Sequence, residues 1–422
     1  MNRRMRSVLA GWTGVTLFAP CVCAQPARSE EKNRAIELIA TIKIPFDAVD
    51  ASGLEETIPG GVPHNRLGGI GSAIEYAGGD EYIMLPDRGP IDGGSPYATR
   101  IQRLSLEFLR GEPRWRLLST TLLKAPDGTV LIGAADRINA ADPFGSARFD
   151  PEGLRVEPDG TIFISEEYGP RIDVFGADGA RRGSLEIPST YRPEHFSSIP
   201  EEELPPHSTR GRQPNRGLEG LARTPSGLLM AIPQSPLLQD GALDAGGTRA
   251  GVNIRVLTIN PREKGADQAG RQWIYPLDEP SYGVSEMLAV DEHRLLVLER
   301  DGKAGGKARF KRIMLADISK ASDVTTIANL PSRGLPSGVE PASKRVLIDL
   351  LDPRFKLAGD AFPEKVEGLC FGPRDEAGRA TLLVATDNDF KDQDSIIWVF
   401  AIPAAMLDLP PGSIGAPRSP SP

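Results

Sequence analysis

The feature that most constrains this fold is a hairpin-like segment that occurs five times, beginning near residues 69, 152, 219, 286 and 367. In each copy Gly or Glu opens a short apolar strand, a turn containing Gly, Asp or His follows, and a second strand ends in a polar residue. The copies lie 67 to 83 residues apart, in the range of a propeller blade with long loops. We therefore predict an all-β β-propeller of four-stranded antiparallel blades. Five blades are favoured, and six are possible if a long insert hides another.

The two ends of the predicted domain complement each other. The fifth unit supplies only three strands, because residues 395–403 run into a Pro-rich segment at 410–422. Residues 35–45, AIELIATIKIP, resemble an outer strand that lacks a blade. Pairing of 35–45 with 395–403 would close the ring and protect its edges. We expect a single β-propeller domain at 35–409, followed by a disordered Pro-rich tail at 410–422.

The first 24 residues are typical of a secretory signal. Three arginines precede an apolar run of about a dozen residues, and small residues stand at positions 22 and 24. The run is shorter than the roughly 20 apolar residues of a spanning helix, although a membrane anchor is the alternative. We predict a cleaved signal peptide at 1–24, a linker at 25–34, and a periplasmic or secreted protein without a membrane anchor.

Charge and cysteine content exclude two classes of protein. The net charge is −8, which argues against general nucleic-acid binding. Signal cleavage would leave Cys370 as the only one of three cysteines, so an intramolecular disulfide could not form. We expect a fold held together by packing alone.

Glu-Gly-Leu occurs at 152–154, 219–221 and 367–369, and Glu-Met-Leu occurs at 286–288. The first strand of a propeller blade lines the central channel, where glycine permits close approach of neighbouring backbones. The leucines are then expected to pack between blades. The glutamates are expected to point toward the axis or one mouth of the channel. These are Glu152, Glu219, Glu286 and Glu367.

A second set of polar residues follows the second strand of each hairpin. Its members are Asp87-Arg88, Glu167, Gln234, Glu299-Arg300 and Asp387-Asn388-Asp389. Strand alternation allows only one of Glu166 and Glu167 to face the channel, and alignment of EYGP with DRGP selects Glu167. The start of the first strand and the end of the second lie at the same end of an antiparallel hairpin. Both sets should therefore meet on one face of the propeller.

Carboxylates that share a small volume either have raised pKa values or bind a cation. Oxygen ligands select a hard cation, and Ca²⁺ is the natural candidate in an exported protein. A network of salt bridges with neighbouring arginines is the alternative. Arginines among these acids could hold an anion by bidentate contacts. The sequence contains no G-x-S-x-G motif, paired zinc-type histidine spacing, P-loop or EF-hand loop.

The segments DRGP, DPEGL, SEEYGP, NRGLEGLA, LLVLER and KVEGL…LLVATDNDF together resemble the phytase-like domain family, described by its esterase-like activity of phytase. The resemblance extends from about residue 67 to 402. It implies an exported bacterial β-propeller of the hydrolase class, related in concept to calcium-dependent phosphomonoesterases. Gln234 departs from the family pattern, which commonly has Glu before Ser-Pro.

These features lead to the hypothesis of a Ca²⁺-dependent hydrolase of phosphoric or other esters, which we expect to be a monomer acting on a small anionic ester. The expected metal ligands are Asp87, Glu152, Glu219, Glu286, Glu367, Asp387 and Asn388. The expected catalytic bases are Glu167 and Glu299. The expected substrate-binding residues are Arg88, Arg300, Asn215 and Arg216. The alternatives are a non-catalytic binding propeller of the cell envelope and a metal-dependent hydrolase of lactones or carbohydrates.

Overall fold

Five four-stranded antiparallel sheets form the molecule, and their innermost strands contact one another in a ring. The structure is a computed structural model that describes residues 35–139, 141–265 and 268–409. The predicted signal peptide, linker and Pro-rich tail lie outside these residues. The prediction of a five-bladed β-propeller is confirmed.

In blades 1 to 4 the strands follow one another in the sequence from the axis outward. Blade 1 contains β4 (Ala73–Gly78), β5 (Glu81–Leu85), β6 (Arg100–Glu107) and β7 (Arg114–Leu122). Blade 2 contains β8 (Pro151–Val156), β9 (Ile162–Glu166), β10 (Arg171–Phe175) and β11 (Arg181–Leu185). Blade 3 contains β12 (Leu218–Arg223), β13 (Leu229–Pro233), β14 (Asn253–Ile259) and β15 (Ala269–Pro276). Blade 4 contains β16 (Gly283–Ala289), β17 (Arg294–Arg300), β18 (Lys311–Asp317) and β19 (Ser343–Asp349).

Blade 5 combines strands from distant parts of the sequence. It contains β20 (Lys365–Gly372), β21 (Ala380–Asp387), β22 (Ser395–Ile402) and, outermost, β1 (Glu37–Ile44). Strand β1 pairs antiparallel with β22, with Thr41 opposite Trp398. This is the predicted closure, and it removes the open edge that β22 would otherwise present.

The hydrophobic core lies between the blades. Leu154, Leu221 and Leu369, the leucines of the repeated tripeptide, are completely buried in these layers. A Cβ atom on Gly220 would lie 2.7 Å from the backbone nitrogen of Met287 in the next blade. The small residue is therefore required by the close approach of two inner strands.

The remaining elements are short. A two-stranded hairpin of β2 (Thr57–Ile58) and β3 (Val62–Pro63) precedes blade 1. Single 3₁₀ turns occur at Ala135–Arg137, Ser189–Tyr191, Pro200–Glu203, Leu238–Asp240, Gly305–Lys307, Pro353–Phe355 and Ala404–Leu407. Within the described ranges no helix has the length and apolarity needed to cross a bilayer. Cys370 is a buried free thiol.

Candidate functional site

A polar cavity of about 540 Å³ lies where the inner strands begin and the second strands end. Both predicted sets of polar residues contribute to its wall, as expected from the antiparallel hairpins. The charged residues that line it are Asp87, Arg88, Asp92, Glu152, Glu167, Arg216, Glu219, Arg249, Arg300, Glu364, Lys365, Glu367, Asp389 and Lys391.

A one-residue bulge in the inner strands aims the glutamates at this cavity. In blade 3 the ladder skips from Leu218 to Gly220, which leaves Glu219 without a partner on β13. In blade 5 the ladder skips Glu367 in the same way. A bulged residue is turned out of the regular alternation of the strand, so its side chain can be redirected. The recurring glutamate is therefore a bulge residue that projects into the cavity.

Glu286 does not lie in the cavity, and this corrects the sequence prediction. The ladder of blade 4 skips Ser285, so Ser285 is the equivalent of Glu219 and Glu286 is the equivalent of Gly220. Glu286 Oε1 accepts hydrogen bonds from the backbone N–H groups of Leu221 (3.0 Å) and Met287 (2.8 Å). The alignment of Glu-Met-Leu with Glu-Gly-Leu is thus wrong by one residue.

The cation that neutralises Glu286 is Arg155 from blade 2. Arg155 Nη2 lies 3.1 Å from Glu286 Oε2 and donates to the carbonyl oxygen of Met287 at 2.9 Å. Its Nη1 lies 3.5 Å from Glu75 Oε2 of blade 1. The guanidinium group is 1% exposed and crosses the axis to join three blades. The channel is therefore filled at this level, below the cavity.

Glu299 also lies outside the cavity, because Arg300 takes the position that Gln234 occupies in blade 3. Glu299 pairs with Val284 just as Pro233 pairs with Leu218, which turns Glu299 toward the neighbouring blade. Its carboxylate accepts hydrogen bonds from Tyr275 Oη (3.0 Å), the backbone N–H of Asp278 (3.1 Å) and Lys344 Nζ (2.7 Å). Glu299 is a satisfied structural carboxylate, and we do not retain it as a catalytic base.

One cluster of carboxylates in the cavity wall already holds a cation. Lys365 Nζ lies 3.3 Å from Asp87 Oδ2, 3.2 Å from Asp387 Oδ2 and 2.5 Å from Asp389 Oδ1. The ammonium group occupies the place that a metal ion would take among these oxygens. These residues therefore do not fit a metal ion as they stand.

Two predicted anion-binding arginines are likewise occupied. Arg88 Nη1 lies 3.0 Å from Asp150 Oδ2, and the backbone N–H of Arg88 donates to Asp150 Oδ1 at 3.1 Å. Arg300 Nη2 donates to Glu367 Oε1 at 2.7 Å, and its Nε donates to Ser285 Oγ at 2.7 Å. Their charges neutralise carboxylates of the site, so neither guanidinium group has its full charge available to bind an anionic ligand.

The second cluster has an excess of negative charge. Carboxylate oxygens of Asp150, Glu152 and Glu167 lie within 4.8 Å of one another, and Arg88 contacts only one side of the group. Glu152 is 9% exposed, and it forms no ion pair within the described ranges. Glu219 Oε2 is buried without a hydrogen-bond donor. This donor set of hard oxygens fits a divalent cation.

The carboxyl groups of this cluster hold protons more tightly than usual. Burial raises the pKa of Asp150, Glu152 and Glu167, and the neighbouring carboxylates add to the effect. Burial and the charge of Glu367 raise the pKa of Glu219. The charge of Glu219 also raises the pKa of Glu167. A divalent cation would displace protons from this group.

The opposite charge is in excess on another part of the wall. Burial and the nearby Arg249 lower the pKa of Arg216 to about 10. Arg216 Nη1 donates to Ser235 Oγ at 2.9 Å, and neither guanidinium group pairs with a carboxylate among the residues that the structure describes. Asn215 also lines the cavity, in the left-handed conformation that asparagine tolerates. This part of the wall can accept an anion.

Asn388 does not line the cavity, and its side chain instead forms hydrogen bonds that hold the surrounding loop. Its Oδ1 accepts hydrogen bonds from the backbone N–H groups of Gly69 (2.9 Å) and Phe390 (3.1 Å), and its Nδ2 donates to Gln393 O at 2.9 Å. The amide is fully used in holding the loop after β21, so the structure offers no ligand atom from Asn388.

Sequence reasoning missed Asp150, Lys365 and Arg249. Asp150 and Lys365 each stand two residues before a bulged glutamate, and the period of two along a strand was the available signal. Arg249 lies in the loop between β13 and β14 and belongs to no repeated motif. Its approach to Arg216 depends on the path of that loop.

Sequence comparisons relate the chain to a family and to a fungal protein. The sequence model of the phytase-like family, described as esterase-like activity of phytase, matches residues 65–390. An "uncharacterized secreted protein" of the fungus Arthroderma benhamiae is 26% identical over 389 residues, covering 74% of this chain and 72% of its own.

Two solved structures also match. A protein of unknown function from Dyadobacter fermentans is 10% identical, with a TM-score of 0.38 and coverage of 87% of this chain and 99% of its own. Virginiamycin B lyase from Staphylococcus aureus is 12% identical, with a TM-score of 0.34 and coverage of 87% and 100%. Because the family model spans most of the described domain, the chain belongs to the phytase-like family of β-propellers.

Proposed function

We propose that the protein is an exported hydrolase of anionic esters, with phosphoric esters as the first candidates, that uses one divalent cation, Ca²⁺ by preference. The observation that carries the proposal is the division of charge within one cavity. Carboxylates that exceed the charge of their one cation, Arg88, lie on one part of the wall, and guanidinium groups without a carboxylate partner among the described residues lie on another. The family description, esterase-like activity of phytase, supports the hydrolase class.

Asp150, Glu152 and Glu167 would hold the cation. When bound, it supplies positive charge that polarises the ester and makes water a better nucleophile at neutral pH. Arg88 orients Asp150 through two hydrogen bonds. Burial of the three carboxylates excludes competing water and strengthens each electrostatic contact.

Glu219 would serve as the general base, a role that the sequence prediction gave to Glu167 and Glu299. Its Oε2 has no hydrogen-bond partner among the described residues. Gln234 Nε2 fixes the carboxylate by donating to Oε1 at 2.8 Å. The raised pKa of Glu219 brings its proton affinity closer to neutral pH, where a general base is most effective. A proton from the attacking water would be transferred to Oε2.

Arg216 and Arg249 would bind the anionic part of the ester. The charge of Arg249 lowers the pKa of Arg216, so an oxyanion bound between the two guanidinium groups would relieve this repulsion. Export of the protein is supported by the signal-like residues 1–24 and by the description of the fungal relative as secreted.

The proposal can be tested by hydrolysis of p-nitrophenyl phosphate, with a p-nitrophenyl carboxylic ester and a lactone assayed in parallel. We expect turnover in Ca²⁺ that is abolished by a chelator and by Glu152→Gln. Glu364→Gln is the matched control, because Glu364 lines the same cavity but is exposed and lies outside the cluster. Absence of metal-dependent turnover of all three substrates, or equal losses in both variants, would contradict the proposal.

A further inference from the structure

Blades 2 and 5 place equivalent sets of side chains in the cavity wall or in contact with it. In blade 2, Pro151 pairs with Glu166, and in blade 5 Val366 pairs with Thr386 in the same register. The residues flanking these pairs therefore correspond by the rotational pseudosymmetry of the propeller. The corresponding pairs are Asp150 and Lys365, Glu152 and Glu367, and Glu167 and Asp387.

Only one of these three positions differs in the sign of its charge between the two blades, the position of Asp150 and Lys365. Blade 2 has the carboxylate of Asp150, whereas blade 5 has the ammonium group of Lys365. Lys365 lies directly opposite Asp387 in the β20–β21 ladder, so its backbone position is fixed by the sheet. Its side chain then reaches Asp87 in the adjacent blade 1.

The contacts of Lys365 resemble those of a bound ion. An ammonium group has three N–H donors, and the three nearest acceptors are carboxylates at 2.5 to 3.3 Å. No donor remains for a substrate. The carboxylates come from two distant segments of the chain, one after β5 and one at the end of β21, as expected for a cation site and not for a local ion pair. They belong to Asp87, Asp387 and Asp389.

We propose that Lys365 is a tethered cation that fills a second cation position, formed by Asp87, Asp387 and Asp389, and thereby limits the protein to one exchangeable divalent cation. The lysine neutralises this part of the wall at any calcium concentration, whereas the blade 2 cluster responds to calcium. The expectation that the natural chain binds one ion rests on the proposed function. The expectation that removal of the lysine adds one ion is independent of the proposed function.

The test is the number of calcium ions bound per chain, measured by isothermal titration and by metal analysis after equilibrium dialysis. We expect one ion in the natural protein and two in Lys365→Met, which keeps the length of the side chain and removes its charge. Lys391→Met is the matched control. Lys391 Nζ contacts Asp389 Oδ2 at 2.7 Å from the exposed side, and this variant should bind one ion.

Two ions in the natural protein, or an unchanged number in a natively folded Lys365→Met variant, would overturn the inference. If that variant does not fold, the Asp387→Asn variant, which keeps Lys365, provides the test. Its calcium affinity should change by less than about threefold, whereas that of Glu152→Gln should fall by at least about tenfold. Equal losses in the two variants would overturn the inference. No ion in the natural protein but one in Lys365→Met would refute the proposed metal site and leave the role of Lys365 standing.

Discussion

The inner strands of blades 3 and 4 place nearly identical glutamates in different surroundings. Glu219 is a bulge residue that faces the cavity with one oxygen unpartnered, whereas Glu286, one position later in the register, faces the axis and meets Arg155. The same residue type is thus available for chemistry in one blade and used for cohesion in the next. The position of the bulge decides between these roles, so substitutions at the two sites should separate activity from stability.

The largest expected difference concerns turnover. Glu219→Gln removes the proposed base and should lower the rate of ester hydrolysis by about 10²- to 10⁴-fold. Glu286→Gln should leave the rate within about threefold, because Glu286 lies outside the cavity and makes no contact with it. Steady-state assays of both purified variants at saturating Ca²⁺ provide the measurement. Similar losses in both would remove the distinction.

The free energy of unfolding should depend strongly on the contact between Glu286 and Arg155, although the rate of hydrolysis should not. Arg155→Met leaves Glu286 buried without its cation and should lower the free energy of unfolding by about 3–5 kcal/mol, as for other broken buried pairs. The double variant Arg155→Met, Glu286→Gln should recover much of this loss, because the uncompensated charge is gone. Urea denaturation of the two variants tests this, and a double variant no more stable than the single one would contradict it.

The pH dependence of stability should sharpen the same comparison. Burial raises the pKa of Glu286 from 4.5 to about 7. Its protonated form is favoured in the folded state, so this stabilisation is complete below pH 4.5 and is lost as the pH rises through 7. The free energy of unfolding without calcium should therefore fall between pH 5 and 8.

The cluster around Glu219 contributes to this fall in the same direction, because its pKa values are also raised. Glu286→Gln should flatten the pH profile by about 1–3 kcal/mol over this range. Saturating calcium should reduce the pH dependence that the cluster contributes to the free energy of unfolding, and it should not change the contribution of Glu286. A profile that rises with pH in calcium-free buffer would contradict these assignments.

The smallest effect is expected from Ser285→Glu, which restores a glutamate at the bulge of blade 4. Arg300 already donates to Ser285 Oγ and can pair with the new carboxylate. We expect calcium affinity to rise by less than about tenfold and the free energy of unfolding to change by less than about 1 kcal/mol. Calcium titration measures the first quantity. A loss of affinity would show that position 285 does not face the cation cluster.

The repeat predicted the fold well because each blade carries its own apolar strands and turns. The closure by β1 could also be predicted, since residues 35–45 had the pattern of an outer strand and no blade of their own. A bulge has no such signature. It shifts the register by one residue without changing the hydrophobic pattern, so Ser285 and Glu286 could not be told apart by alignment.

The charge balance of the site was also beyond sequence reasoning. The carboxylates and arginines of the cavity could be identified from their positions after the strands. Which of them neutralise one another depends on side-chain reach across blades, as in the contact of Lys365 with Asp87. Glu299 illustrates the other limit, because Tyr275 and Lys344 from neighbouring strands determine its environment.

The pairing of β1 with β22 has a consequence for biosynthesis. The two strands are more than 350 residues apart in the chain, so the ring cannot be completed until residue 402 has left the ribosome. Until then the first strand has no partner, and blade 5 lacks its outer layer. Completion of blade 5 is therefore expected only after β22 has been synthesised, when the sheet that includes β1 can form.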